Sequence, residues 1–196
     1  MLKKHSLDPI KLIWLFAGSL IINTGVSFIW PLTTIYIHNY LHETLTVAGI
    51  VLFINSAFTM VGNAVGGLLF DKWHPYQTLL TGVSISTLST FLLVLFHGWP
   101  AYPILLITLG LGNGIVVTGL NSIATLIQSR NASYVFNVLY FTQNLGLVFG
   151  SLMVGFILPF GITYIFLLAF IMFAFLSIVI FFEYRGLNQA HASTNK

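Results

Sequence analysis

No aspartate, glutamate, lysine or arginine interrupts the chain between Lys11 and Glu43, Glu43 and Asp71, Lys72 and Arg130, or Arg130 and Glu183. A helix crosses about 30 Å of hydrocarbon with about 20 apolar residues. Divided at Pro, Gly, His and polar clusters, the tracts give six spans, at 10–30, 46–70, 77–96, 103–127, 134–158 and 162–182. The apolar runs are continuous rather than alternating with period two, which selects helices over barrel strands. With 6% charged residues, 57% hydrophobic residues and a mean hydropathy of +0.95, the surface needs lipid to cover it. The expected fold class is therefore all-α, a polytopic membrane protein of six transmembrane helices. The first span is too long for a signal peptide, and "WPLTTIY" follows it where a small-residue cleavage site would stand.

Six spans put both termini on one side of the membrane. Lys3, Lys4 and Lys11 precede the first span, Lys72 and Arg130 fall in alternate connections, and Arg185 and Lys196 follow the sixth. The connections on the opposite side, about 31–45, 97–102 and 159–161, hold no Lys or Arg. The positive-inside rule then predicts a plasma-membrane protein with both termini cytoplasmic. Trp14, Trp30, Trp73 and Trp99 stand near span ends, where indole favours the headgroup layer. The organisation is a cytoplasmic segment 1–9, a transmembrane domain 10–183 and a polar cytoplasmic tail 184–196.

Chemistry inside the spans is sparse. There are no cysteines, so disulfides and thiolate chemistry are excluded. No paired carboxylates, Ser/His/Asp set or metal-ligand cluster is present, and "GLGNG" at Gly110–Gly114 lies within an apolar span rather than between strand and helix. The chain is expected to be no enzyme, with no catalytic residue, metal or cofactor and no nucleic-acid partner. The partner that composition implies is the bilayer, and a small-molecule substrate is implied only by the resemblance described below. Asp8, Glu43, Asp71 and Glu183 lie at helix ends, so no buried proton-coupling group is expected. The polar residues within the spans are amides and hydroxyls, which either join helices or form a weakly polar cavity wall. Along the fourth and fifth spans, Asn113, Thr118 and Asn121, then Asn137, Tyr140 and Asn144, recur at helical spacing.

Two stretches echo each other three spans apart. "GNAVGGLL" (Gly62–Leu69) and "GLVFGSLM" (Gly146–Met153) both read Gly-x-x-x-Gly-small-Leu-apolar. Glycines four residues apart clear a helix face for close packing. Matched copies in the second and fifth spans point to two inverted three-helix repeats, about 10–97 and 103–183.

The run "GLLFDKWHPY" extends the first copy. With it, the chain resembles the N-terminal six-helix half of the major facilitator superfamily. That family has a Gly-x-Leu-Ala-Asp-Arg-x-Gly-Arg-Lys signature between its second and third helices. Gly67, Leu69, Asp71 and Lys72 fit it, whereas Phe70, His74, Pro75 and Tyr76 depart from it. In "GLVFGSLMVG", Gly146, Gly150 and Gly155 fit the fifth-helix signature of antiporter branches, with Ser151 where proline is usual and Val154 where a glycine is usual. "QNLG" and the Pro31 of "WPLTTIY" are similar to drug-efflux members. "TLGLGNG" keeps Gly112 and Gly114 of a fourth-helix signature, but Thr108 stands in place of its arginine.

The resemblance is closest to the drug:proton antiporter branch, and it implies alternating access around a central cavity lined by the first and fourth helices. Asn23, Ser27, Asn113, Thr118 and Asn121 become cavity candidates, joined by Asn137, Tyr140 and Asn144. Asp71 is implied to latch the two halves when the outside is open. Family members carry twelve spans in two halves, and the tail Glu183–Lys196 resembles the start of the loop between them. Expectations are thus a half that effluxes lipophilic or drug-like molecules when paired with a second six-helix half, as a homodimer or with a separate chain. The alternative is a truncated or non-transporting protein that binds or regulates a full-length relative.

Overall fold

The computed structural model describes residues 8–187, and among them every regular element is helical. In chain order these are α1 (Leu12–Ser27), a short α2 (Thr33–Ile35) running into a π-helical turn (Tyr36–Tyr40), α3 (Leu45–Lys72), α4 (Pro75–Leu95), α5 (Ala101–Leu126), α6 (Ala132–Ile157) with a 3-10 turn (Leu158–Phe160) after it, and α7 (Ile162–Glu183). Local signals set several ends. The Thr44 hydroxyl accepts from the Val47 amide at 3.2 Å and starts α3. Pro75 occupies the first turn of α4, where its missing N–H costs nothing. The Asn131 side chain caps α6 through the Ser133 amide at 3.0 Å, and Gly161, at φ 125°, separates α6 from α7.

Five helices, α3 to α7, are long and apolar enough to cross a membrane. At 16 residues, α1 spans about 24 Å and falls short of the bilayer core by itself. The expected 10–30 span therefore needs revision. Pro31 has no N–H to give the Ser27 carbonyl, so regular helix stops at Ser27. The chain nevertheless stays helical beyond it, because Leu32, Tyr36 and Ile37 recur on one face and are at most 3% exposed. The expected loop at 31–45 is thus largely helical turns up to Tyr40. Asp71 stands at a helix end as read, and Lys72, expected in the connection, closes the last turn of α3 beside it. At 28 residues, α3 is about 42 Å long, so its charged end clears the hydrocarbon.

Side-chain bonds sort the helix ends. The Tyr184 hydroxyl donates to the Trp14 carbonyl at 2.7 Å, and the Tyr76 hydroxyl to the Phe181 carbonyl at 3.4 Å. The starts of α1 and α4 therefore share an end with the finish of α7. At the other end the Tyr36 hydroxyl donates to the His97 carbonyl at 2.7 Å, and Thr33 and Tyr102 share a 2.9 Å bond. Lys3, Lys4, Lys196 and most of the tail lie outside the described residues.

Helix α3 packs on α5, α4 on α5 and α7, and α1 on α6 and α7. Glycines set the closest approaches. A methyl at Gly62 would strike the Leu111 carbonyl oxygen, and one at Gly66 would lie 2.8 Å from Ile115 Cα. On α6, a methyl at Gly146 would lie 2.7 Å from the Leu20 carbonyl oxygen, and one at Gly150 would lie 2.6 Å from that of Thr24. Both copies of the sequence echo therefore seat helices backbone to backbone, one on α5 and the other on α1. Leu15, Leu79, Val83, Phe166 and Phe173 fill the core, while Phe53 and Phe156 stand 75% and 76% exposed on α3 and α6.

Candidate substrate cleft

A cleft of about 370 Å³ opens where α1, α3 and α5 meet, with Leu147 of α6 at its edge. The end of α1 contributes Ser27 and the interrupted segment Ile29, Trp30 and Pro31. That segment is held by the aromatic cluster beyond it, where Tyr36 meets Tyr102 and Phe166 edge-on at 4.7 and 5.6 Å. From α3 come Asn55, Ser56 and Thr59, and from α5 Leu106, Leu109, Gly110 and Asn113. None of the thirteen lining residues is ionisable.

The polar atoms of this wall are mostly committed to the helices. Asn55, 6% exposed, donates from Nδ2 to the Leu106 carbonyl at 2.6 Å and so ties α3 to α5. Gly110 permits that approach, since a methyl there would lie 2.6 Å from Asn55 Nδ2. Thr59 Oγ1 donates to the Asn55 carbonyl at 2.9 Å, and Ser27 Oγ to the Asn23 carbonyl at 2.6 Å. Asn113 is different: its Oδ1 is enclosed and has no partner among the described residues. An enclosed polar atom without a partner costs about 1–3 kcal/mol. Ser56 is exposed, and its position on the wall makes it reachable.

Of the eight candidates read from the sequence, the structure brings Ser27 and Asn113 to this cleft. Asn23 is half-buried, bonds the Ser19 carbonyl at 2.8 Å and lies against Gly146. Thr118 donates to Asn63 Oδ1 at 3.1 Å, and Asn121 accepts from Gln143 at 3.5 Å. Asn137, Tyr140 and Asn144 stand exposed along α6, where Asn144 bonds the Tyr140 carbonyl at 2.8 Å. Asn55 is one of the span amides read as helix glue or cavity wall but lies outside the eight candidates, and sequence reasoning missed Ser56 and Thr59 as wall residues. Asn55, Thr59, Gly62 and Gly66 follow one another at helical spacing on a single face of α3, and that periodicity was the available signal.

Asp71 and Lys72 are exposed at the charged end, and Gly67 lies against Thr118, where a methyl would sit 3.7 Å from Cγ2. In the fifth-span motif, Gly146 and Gly150 are buried against α1. Ser151 and Gly155 are exposed, with nothing within 4 Å of a methyl placed at Gly155.

Known proteins match this arrangement. The family model described as Major Facilitator Superfamily matches residues 15–196. An uncharacterized MFS-type transporter, YttB of Bacillus subtilis (strain 168), is 38% identical over 179 residues, covering 91% of this chain and 45% of that protein. The chain thus spans about half the length of the curated relative it matches. Two crystal structures of the peptide transporter POT share the fold at 18% identity. The sulfate complex has a TM-score of 0.81 over 91% of this chain and 40% of its own. The alafosfalin complex has a TM-score of 0.82 over 96% and 43%. By the residues its family model matches, nearly the whole chain, it belongs to the major facilitator superfamily.

Proposed function

We propose that the chain forms one half of an efflux transporter for small lipophilic or drug-like molecules. The observation that carries this reading is the cleft wall, which is apolar with a few amides and hydroxyls and no ionisable group. A peptide has two opposite terminal charges, and burying them without partners is costly. An uncharged lipophilic molecule gains from the same wall. Tyr140, Asn137 and Asn144, exposed on α6, would extend the polar lining toward a second half.

The chain works as six spans in two inverted repeats, with α1 and its continuation to Tyr40 forming the first. Helix pairing supports this: α3 on α5 mirrors α6 on α1, and α4 on α5 mirrors α7 on α1. The charged end is cytoplasmic and the protein resides in the plasma membrane. A second six-helix unit completes the site, and rocking between the two units gives alternating access. Asp71, in the gating motif with Gly67 and Lys72, latches this half to the other.

Accumulation of a lipophilic fluorescent dye in cells lacking other efflux systems tests the reading. Expression of the protein with its second half lowers accumulation several-fold, whereas accumulation equal to that of empty cells would overturn it.

A further inference from the structure

The segment before α1 reaches across to the opposite repeat. Asp8 Oδ1 accepts from two consecutive backbone amides of the α5–α6 connection, Gln128 at 2.9 Å and Ser129 at 3.0 Å. Those amides lie just past α5, which ends at Leu126. Neither amide can find its partner in α5, so the carboxylate supplies an acceptor that the helix does not. Bonds to a charged acceptor are shorter and stronger than neutral ones. A single side chain therefore fixes the connection to the root of α1.

The same root is held from a second direction. The Tyr184 hydroxyl donates to the Trp14 carbonyl at 2.7 Å, and Gly18 leaves room for it, since a methyl there would lie 2.6 Å from that oxygen. Ile10, Tyr184 and Leu187 are buried around the junction. By contrast, α1 and α5 touch little along their length, because α6 and α7 occupy most of the packing surface of α1. These two helices nonetheless form facing parts of the cleft wall at their far ends.

We propose that Asp8 is a positioning residue, a strap that joins the start of α1 to the α5–α6 connection so that the two wall helices move as one body. In this role it touches no substrate. Its importance for transport rests on the efflux reading above, but the strap itself does not.

Hydrogen exchange on the purified full chain in detergent tests the contact. Asp8→Ala should speed exchange of the Gln128 and Ser129 amides about tenfold, the loss of one charge-assisted bond. Asp8→Asn keeps an acceptor oxygen and should restore most of the protection. Unchanged exchange in Asp8→Ala overturns the strap. A second variant tests whether the strap stays shut during the cycle. The chain has no native cysteine, so Asp8→Cys with Gln128→Cys gives one addressable pair. Dye extrusion that continues after this pair is oxidised supports motion as one body, and extrusion that stops on oxidation and returns on reduction overturns it. Should the wild type extrude no dye, the efflux reading fails while the exchange result still decides the strap.

Discussion

Replacing Gly62 with alanine places one methyl group at the tightest seam of the bundle. The added carbon would strike the Leu111 carbonyl oxygen and lie 3.2 Å from the Gly114 Cα, both of them backbone atoms in a helix. No rotamer change relieves the contact, so α3 and α5 must separate. Overpacking of this kind costs about 2 kcal/mol. Separation also stretches the Asn55–Leu106 and Thr118–Asn63 bonds, which cross the same seam at 2.6 and 3.1 Å. Interhelical bonds in membranes contribute about 0.6 kcal/mol each, so their loosening adds about 1 kcal/mol. Alanine returns about 1 kcal/mol through helix propensity. The net loss is about 2 kcal/mol, roughly a 30-fold change in the folding equilibrium. For a chain of this size it lowers the melting temperature by about 4–8 °C.

Thermal unfolding in mild detergent reads this loss, with Gly155→Ala as the control. Nothing lies within 4 Å of a methyl at Gly155, so that variant should melt at or slightly above the wild type. Gly114→Ala, facing Thr59 and Asn63 across the seam, should cost about as much as Gly62→Ala. The double variant should cost less than the sum, because the helices are already apart. Equal melting temperatures for Gly62→Ala and Gly155→Ala would refute the seam.

Three further perturbations probe other parts of the molecule. Gly150→Ala meets the Thr24 carbonyl oxygen at 2.6 Å and should destabilise the α1–α6 pair by about 2 kcal/mol in the same melting assay. Asn55→Ala removes the Asn55–Leu106 bond and should cost about 0.5–2 kcal/mol, with no loss of membrane insertion measured by fractionation. Asp71→Ala, at an exposed position, should change stability by no more than about 0.5 kcal/mol yet lower dye extrusion several-fold, and wild-type extrusion would remove the latch.

Much of the fold was legible because bilayers impose simple rules. Charge-free length located the helices, and Lys11, Lys72, Arg130 and Arg185 marked the ends that gather together. The Gly62–Gly66 and Gly146–Gly150 echo anticipated two seams, since a missing side chain at four-residue spacing has one main use in a membrane helix. The helical turns after Pro31 were hidden, because proline reads as a stop while the burial of Tyr36 and Ile37 that outweighs it is tertiary. The cleft was only partly legible for a related reason. An asparagine on a wall and one bonding its own helix look alike in sequence, and only packing separates Asn113 from Asn144. The resemblance points to the first and fourth helices as cavity walls, whereas Asn55, Ser56 and Thr59 of α3 also line the cleft.

On the proposed function, the uncharged cleft wall binds lipophilic molecules and a second half completes the path. Counterflow in vesicles holding the chain with its second half tests it most directly, using a neutral lipophilic dye and a zwitterionic dipeptide as alternative substrates. Ser56→Trp serves as a variant that fills the cleft from an exposed position. Saturable exchange of the dye is expected, with none of the dipeptide, and Ser56→Trp should lose dye exchange while remaining inserted and folded. Saturable dipeptide exchange without dye exchange, or dye exchange unchanged by Ser56→Trp, would contradict it.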